Sequence, residues 1–301
     1  MKMEFCFPAF NQKLKLGEKR PGNLEVCAEV AEESQYLSFR GIRVHFRVAA
    51  PEGEIRQRML LLSSPLISAF NWRKLVPELM QLNCLTVMVD LPGFGRSDCG
   101  SYVPQDSAMR ANLIWGVLDE IDRSSDAPGS IWHLAGHGSA CATILEMAAL
   151  YPDSVKSQIH ICPLMATPHI QKAPPPGRWF QETVLAKDNF RRMIEHYCAY
   201  PMDDYIIDRM RMPLLRPGAR ESFLRMVRAG ETLPGEGLGF CPAMLLLGGR
   251  DPMLTPPVQM EISRLLEGAE THLLQSAGHF PMETHSKALR DYLRGWIRYN
   301  E

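Results

Sequence analysis

The chain has 301 residues, of which 46% are hydrophobic and 22% are charged, a balance that excludes a disordered chain, a coiled coil and a collagen-like fibre. Lysine and arginine (33) nearly cancel aspartate and glutamate (34), and the formal net charge is −1. No overall positive field therefore favours nucleic acid or anionic lipid, and we expect neither as a partner.

Residues 1–33 precede the first predicted strand and are interpreted as an N-terminal extension. Their apolar patch at residues 5–10 is interrupted by Pro8 and lacks a following cleavage site, so it does not resemble a signal peptide. The most apolar stretch, Met59 to Trp72, is too short to span a bilayer. The eight cysteines are scattered, without a CxxC pair or zinc spacing. This predicts reduced thiols, no metal site and a cytoplasmic location.

From residue 34 onward, short apolar runs alternate with helical periodicities. The predicted strands are Tyr36–Phe39, Ile42–Val48, Met59–Leu62, Leu85–Asp90, Ile131–Ala135, Gln158–Cys162, Ala243–Leu247 and His272–Gln275. The predicted helices are Trp72–Leu82, Ser107–Arg123, Ala140–Tyr151, Pro257–Glu267 and Ser286–Tyr299. Alternating strands and helices indicate an α/β protein built around a mostly parallel sheet.

This alternation stops between residues 165 and 239, where helical stretches rich in methionine and arginine replace the strand pattern. We interpret 165–239 as a helical cap inserted into one sheet domain, formed by 34–164 and 240–301. The methionines are compatible with an adaptable apolar pocket or with ordinary helix packing. The arginines alternate with carboxylates, which favours a solvated face over an anion site.

Five segments together resemble, in the right order, the motifs of the α/β-hydrolase superfamily. They are LLLSSPLISAFNW (60–72), VDLPGFGRSD (89–98), HLAGHGSACATILEMAALYPDSV (133–155), LLLGGRDPMLTP (245–256) and SAGHFPMETH (276–285). The resemblance covers roughly residues 34–300. It implies the α/β-hydrolase fold, a mostly parallel sheet flanked by helices, with a cap over the carboxyl ends of the strands, where ligands bind in open α/β sheets.

The nucleophile elbow of that superfamily reads G-x-S-x-G, and here the matching residues are Gly136-His137-Gly138-Ser139-Ala140. Glycine therefore stands at the nucleophile position, and without a side chain Gly138 cannot form an acyl-enzyme. Glycine does tolerate the positive φ that this turn needs. The resemblance thus predicts that the turn is kept while the serine chemistry is lost.

The oxyanion-binding side also departs from the superfamily pattern, because Ser63-Ser64-Pro65 replaces the usual His-Gly-x. In this register Pro65 takes the place of a backbone donor and has no N–H. Losing one such donor costs on the order of 3 kcal/mol of transition-state stabilisation. The other donor, the N–H of Ser139, is retained. We expect it to receive developing negative charge together with the hydroxyl of Ser63 or Ser64.

Asp251 and His279 match the acid and base of the superfamily. The leading hypothesis is that His279, oriented by Asp251, acts as general base on a bound water or on an acidic proton of the substrate. The substrate is expected to be a small, largely apolar carbonyl or ester compound. Such chemistry resembles that of superfamily members that work as lyases, cyclases or cofactor-free oxygenases, so no cofactor is implied.

Two alternatives remain open at this point. A conventional serine hydrolase could use Ser139 through an elbow shifted by one residue. A non-catalytic protein could keep the pocket for ligand binding, with the Asp251–His279 bond only tying two loops together. The glycine-rich stretches lack the P-loop and dinucleotide patterns, so no nucleotide is expected. The sequence thus predicts a class of substrate, and it identifies neither the individual compound nor the oligomeric state.

Overall fold

The computed structural model describes residues 34–125, 130–164, 180–229 and 241–300. The predicted N-terminal extension lies outside these residues. So do two parts of the predicted cap, residues 165–179 and 230–239. No helix in the described ranges is long and apolar enough to cross a bilayer.

Eight strands form one sheet in the order β1-β2-β4-β3-β5-β6-β7-β8. Their bounds are β1 Gln35–Phe39, β2 Ile42–Ala49, β3 Gln57–Ser63, β4 Cys84–Asp90, β5 Trp132–His137, β6 Val155–Ile161, β7 Ala243–Gly248 and β8 Glu270–Leu274. Strand β2 is antiparallel to β1 and β4, and β3 to β8 are parallel to one another. The prediction of an α/β-hydrolase fold with a mostly parallel sheet is confirmed.

Apolar side chains cover both faces of the central strands, because helices pack on both sides of the sheet. Every residue of β4 is buried. Along β3, Met59 and Leu61 join one hydrophobic cluster while Leu60 and Leu62 join the other, as the alternation of side chains in a strand requires. The core therefore lies in two layers, one on each face.

The α-helices are α1 Val76–Gln81, α2 Ser107–Ser124, α3 Ala140–Leu150, α4 Lys187–Cys198, α5 Asp204–Arg211, α6 Ala219–Ala229, α7 Pro256–Leu265, α8 Pro281–Thr284 and α9 Ser286–Tyr299. The predicted helix Trp72–Leu82 is divided into a 3₁₀ turn, Ala69–Trp72, and α1. Pro77 explains the division, because proline is favoured in the first turn of a helix and disrupts the interior. Helix α8 was not predicted.

Between β6 and β7, the described residues 180–229 contain helices and no strand. They comprise a π-helical turn at Phe180–Val184, helices α4, α5 and α6, and a 3₁₀ turn at Met212–Leu215. We call residues 180–229 the helical segment. The C-terminal end of α4 packs closely on the loop after β8, where the N–H of His279 donates to the carbonyl of Tyr197 at 2.7 Å.

Candidate active site

A tight turn joins β5 to α3 and places Gly138 at its apex. Gly138 has φ +58°, a left-handed conformation that is strained for residues other than glycine. The strand and helix approach closely here, since a Cβ at Gly136 would lie 3.1 Å from the carbonyl oxygen of Ala140. The expectation that glycine suits this turn agrees with both observations.

The space beside Gly138 is bordered by a histidine and a serine. A Cβ built on Gly138 would lie 3.6 Å from Nε2 of His279, and 3.3 Å and 3.4 Å from Cβ and Oγ of Ser64. A side chain attached at position 138 would therefore start within reach of an imidazole nitrogen.

His279 follows β8, and its Nδ1 lies 2.7 Å from Oδ2 of Asp251 in the loop after β7. Both side chains are about 95% buried. The other carboxylate oxygen, Oδ1, accepts the N–H of Met253 at 2.9 Å, which holds the carboxylate in place. Since an ionised carboxylate only accepts, Nδ1 carries a hydrogen, and neutral His279 presents an unprotonated Nε2.

His137 lies next to His279, and each of its two ring nitrogens has a hydrogen-bond partner. Nε2 of His137 donates to the carbonyl oxygen of His279 at 2.7 Å, and the Ser64 hydroxyl is 2.9 Å from Nδ1. Burial, and next the charge of His279, lower the pKa of His137 well below its usual 6.5. His137 is thus neutral with its proton on Nε2, so Nδ1 accepts the hydroxyl hydrogen of Ser64. In this arrangement Ser64 has no hydrogen left for an oxyanion.

The two other serines considered from the sequence are placed differently. Ser139 borders the cavity, but its hydroxyl oxygen is buried and has no hydrogen-bond partner among the described residues. Ser63 is not one of the residues around the cavity, and its hydroxyl accepts the indole N–H of Trp72 at 3.0 Å. This placement gives no support to the expected role of Ser63 among the oxyanion-binding groups. Successive side chains at the end of β3 point to opposite faces of the sheet.

A cavity of about 320 Å³ opens above Gly138 and His279, at the lower end of the range for small-molecule sites. Most of its wall is apolar. The sheet domain contributes Ser64, Pro65, Leu66, Gly138, Ser139, Leu164, Met253 and His279, and the helical segment contributes Leu185, Met193, Tyr197, Leu214, Ala219, Arg220, Phe223 and Met226. Pro65 lies on the wall, where it offers no N–H.

Sequence reasoning missed two polar residues of this wall, Tyr197 and Arg220. Both belong to the helical segment, whose arginines were interpreted as a solvated face. Of the two roles considered for the methionines of this segment, lining a pocket and packing between helices, the structure shows both. Met193 and Met226 border the cavity, whereas Met202 and Met210 are buried in the core.

Cys162, Asp251 and His279 bring three potential metal-ligand atoms within 4.8 Å of one another. Burial, and next the Asp251 carboxylate, raise the pKa of the Cys162 thiol well above its usual 9.0. A thiol must lose its proton to bind a metal, and Nδ1 of His279 is engaged by Asp251. The closeness of these three side chains is therefore accounted for by the packing of the buried thiol against the hydrogen-bonded Asp251–His279 pair.

The chain belongs to the alpha/beta hydrolase family, whose sequence model matches residues 62–292. It is 27% identical over 228 residues to a pimeloyl-[acyl-carrier protein] methyl ester esterase of Neisseria meningitidis serogroup B, covering 70% of this chain and 83% of that protein. It is 24% identical over 234 residues to a 2-hydroxy-6-oxononadienedioate/2-hydroxy-6-oxononatrienedioate hydrolase of Cupriavidus pinatubonensis, covering 72% of this chain and 78% of that protein.

Among solved structures, the epoxide hydrolase CorEH matches with a TM-score of 0.73 at 18% identity, covering 89% of this chain and 99% of that one. At this level of identity the likeness shows the fold alone, and the chemistry has to be argued from the site.

Proposed function

We propose that this protein is an enzyme whose general base is His279, oriented by Asp251, and that it uses no nucleophile at position 138. The substrate is a small, largely apolar carbonyl or ester compound held between the sheet domain and the helical segment, which acts as a cap. His279 takes a proton from a bound water or from an acidic C–H or O–H of the substrate. The N–H of Ser139 receives the developing negative charge.

The observation that carries this proposal is the 3.6 Å distance between Nε2 of His279 and the Cβ position of Gly138. A serine at 138 would occupy this space, and in its absence a water or a substrate group can lie there. Two relatives agree with the substrate class, since one is named as a methyl ester esterase and the other as a hydrolase of an oxo compound.

A shifted elbow that uses Ser139 has less support. A nucleophilic serine needs an exposed hydroxyl that is hydrogen-bonded to its base. The Ser139 oxygen is buried, and no described residue bonds to it. It lies at the N-cap of α3 in helical geometry, with φ −67° and ψ −17°, whereas Gly138 holds the apex of the turn.

The test is to restore the missing nucleophile. We expect Gly138→Ser to gain hydrolysis of p-nitrophenyl acetate and labelling by a fluorophosphonate at residue 138, both lost on adding His279→Ala. Wild-type protein should not be labelled. The added Cβ meets Ser64 at 3.3 Å, so the double variant Gly138→Ser/Ser64→Gly provides the same nucleophile without that contact.

Labelling of wild-type protein at Ser139 would show that the shifted elbow is correct. If both nucleophile variants fold, as judged by circular dichroism, and neither hydrolyses the ester, then position 138 is not aligned with His279 and the proposal is wrong. Esterase activity of wild-type protein that depends on His279 without labelling would agree with a base-activated water.

A further inference from the structure

Arg220 is a cation in an apolar cavity, and no described residue neutralises it. It is the second residue of α6 and borders the same cavity as His279. Within the described ranges, its Nε is buried without a hydrogen-bond partner, and no carboxylate lies within ion-pair distance. Arg220 is half-buried, and removing part of a charged side chain from water without a counter-ion is destabilising, so an anionic ligand in the cavity would be stabilising here.

Other arginines of the helical segment are occupied differently. Arg216 donates to the carbonyl of Ser97 at 3.0 Å, and Arg225 donates to the carbonyl of Val103 at 3.1 Å. Arg209 stacks on Phe70, with its guanidinium carbon 4.5 Å from the ring centre. These three side chains stabilise the packing of the helical segment on the sheet domain. Arg220 makes no such contact among the described residues.

The start of α6 is held firmly, so that Arg220 is presented in a defined position. The hydroxyl of Ser222 accepts the N–H of Gly100 at 2.8 Å. Gly218, which precedes the helix, has φ +84°, and a Cβ there would lie 2.9 Å from the carbonyl oxygen of Cys99. Because the backbone around Arg220 is packed against the 99–100 loop, little ordering remains to be done when a ligand binds.

We propose that Arg220 binds a carboxylate at one end of the substrate, while the reacting carbonyl lies at His279. The guanidinium offers paired N–H donors that match the two oxygens of a carboxylate, and the apolar wall takes the carbon chain between them. This proposal rests on the proposed function for its reacting end. It narrows the substrate class to apolar chains that carry a carbonyl or ester at one end and a carboxylate at the other.

The first test measures binding and needs no turnover. Isothermal titration calorimetry in the His279→Ala background compares monomethyl adipate, which has one ester and one carboxylate, with dimethyl adipate, which is uncharged. We expect the monoester to bind at least about tenfold more tightly. Adding Arg220→Gln should remove this preference and leave binding of the diester unchanged within about twofold.

A matched control is Arg192→Gln, which removes an exposed arginine of α4 that bonds within its own helix to Asn189. It should change neither affinity. Equal binding of the two esters, equal loss of both in Arg220→Gln, or no binding of the monoester at millimolar concentration would each overturn the carboxylate site. None of these results bears on whether His279 is the base, which the labelling and esterase experiments decide separately.

Discussion

Two histidine–aspartate pairs of nearly the same geometry lie in this molecule. Nδ1 of His279 is 2.7 Å from Oδ2 of Asp251, and Nδ1 of His45 is 2.8 Å from Oδ2 of Asp90. In both pairs the histidine and aspartate side chains are almost completely buried. Bond length and burial therefore do not tell an acid–base pair from a structural one.

The difference lies in what surrounds each pair. Asp90 accepts two backbone N–H groups, those of Ala69 at 2.6 Å and Arg96 at 2.8 Å, and thereby fixes two loops. His45 borders a separate cleft, but its Nε2 is buried and has no partner among the described residues. Nε2 of His279 instead lies beside the open position at Gly138. The environment of the second nitrogen is thus the feature on which we base different proposed roles for the two pairs.

The largest expected effect comes from removing each histidine in turn. In the Gly138→Ser background, His279→Ala should lower kcat/KM for p-nitrophenyl acetate by about 10³-fold, because the base is lost. It should also lower the free energy of unfolding by about 2 kcal/mol, because the buried Asp251 carboxylate loses its histidine partner. His45→Ala should lose a similar amount of stability, about 2 kcal/mol from the lost hydrogen bond to Asp90, but its activity should stay within about threefold. Ester hydrolysis and urea denaturation of both variants measure this, and a similar activity loss in both would remove the distinction between the pairs.

Replacing Asp251 or Asp90 should show the same contrast in activity as replacing the histidines, with smaller effects. Asp251→Asn keeps the shape of the side chain but no longer favours the Nδ1–H tautomer of His279. We expect a decrease in kcat of about 10²-fold or more in the same background, with KM little changed. Asp90→Asn should lower the unfolding midpoint in urea and leave kcat within about threefold. A loss of kcat in Asp90→Asn at a temperature where it is fully folded would contradict the structural role of that pair.

Much of the fold could be predicted from the sequence, because central strands such as β4 are nearly continuous apolar runs and the helices have periodic apolar residues. The first three residues of β6, Val155 to Ser157, were missed since the polar Lys156 and Ser157 interrupt the apolar pattern. The sequence could not separate Ser63 from Ser64, because the register at the end of a strand decides which face of the sheet a side chain joins.

The arrangement around Arg220 depends on tertiary structure. Whether an arginine is solvated, bonded to a carbonyl or left without a partner is decided by segments distant in sequence, such as the 99–103 loop that receives Arg225. In contrast, Asp251 and His279 could be matched to the superfamily because each directly follows a buried strand in a recognisable motif. Their roles stay predictions that the variants above test.

Besides the two histidine–aspartate pairs, the described part of the molecule contains buried histidines that have no carboxylate partner. Burial lowers the pKa of His160 to about 3, and both of its nitrogens lack partners among the described residues. Burial, and next the charge of Lys156, lower the pKa of His133 to about 4. In the unfolded chain these groups take up protons near pH 6.5, so below that pH the unfolded state binds more protons and the free energy of unfolding falls as pH falls.

The loss is about 1.4 kcal/mol per pH unit for each such histidine, until the pH reaches its folded pKa. The variant His160→Leu lacks one of these two histidines and should lose less stability on acidification. The difference in free energy of unfolding, variant minus wild type, should therefore be about 2 kcal/mol larger at pH 5 than at pH 7. His196→Gln, on the exposed side of α4, is the matched control and should leave the wild-type slope unchanged. Urea denaturation at both pH values measures this. An identical pH dependence in His160→Leu and wild type would mean that His160 takes up its proton in the folded protein, because only then does its removal leave the slope unaltered.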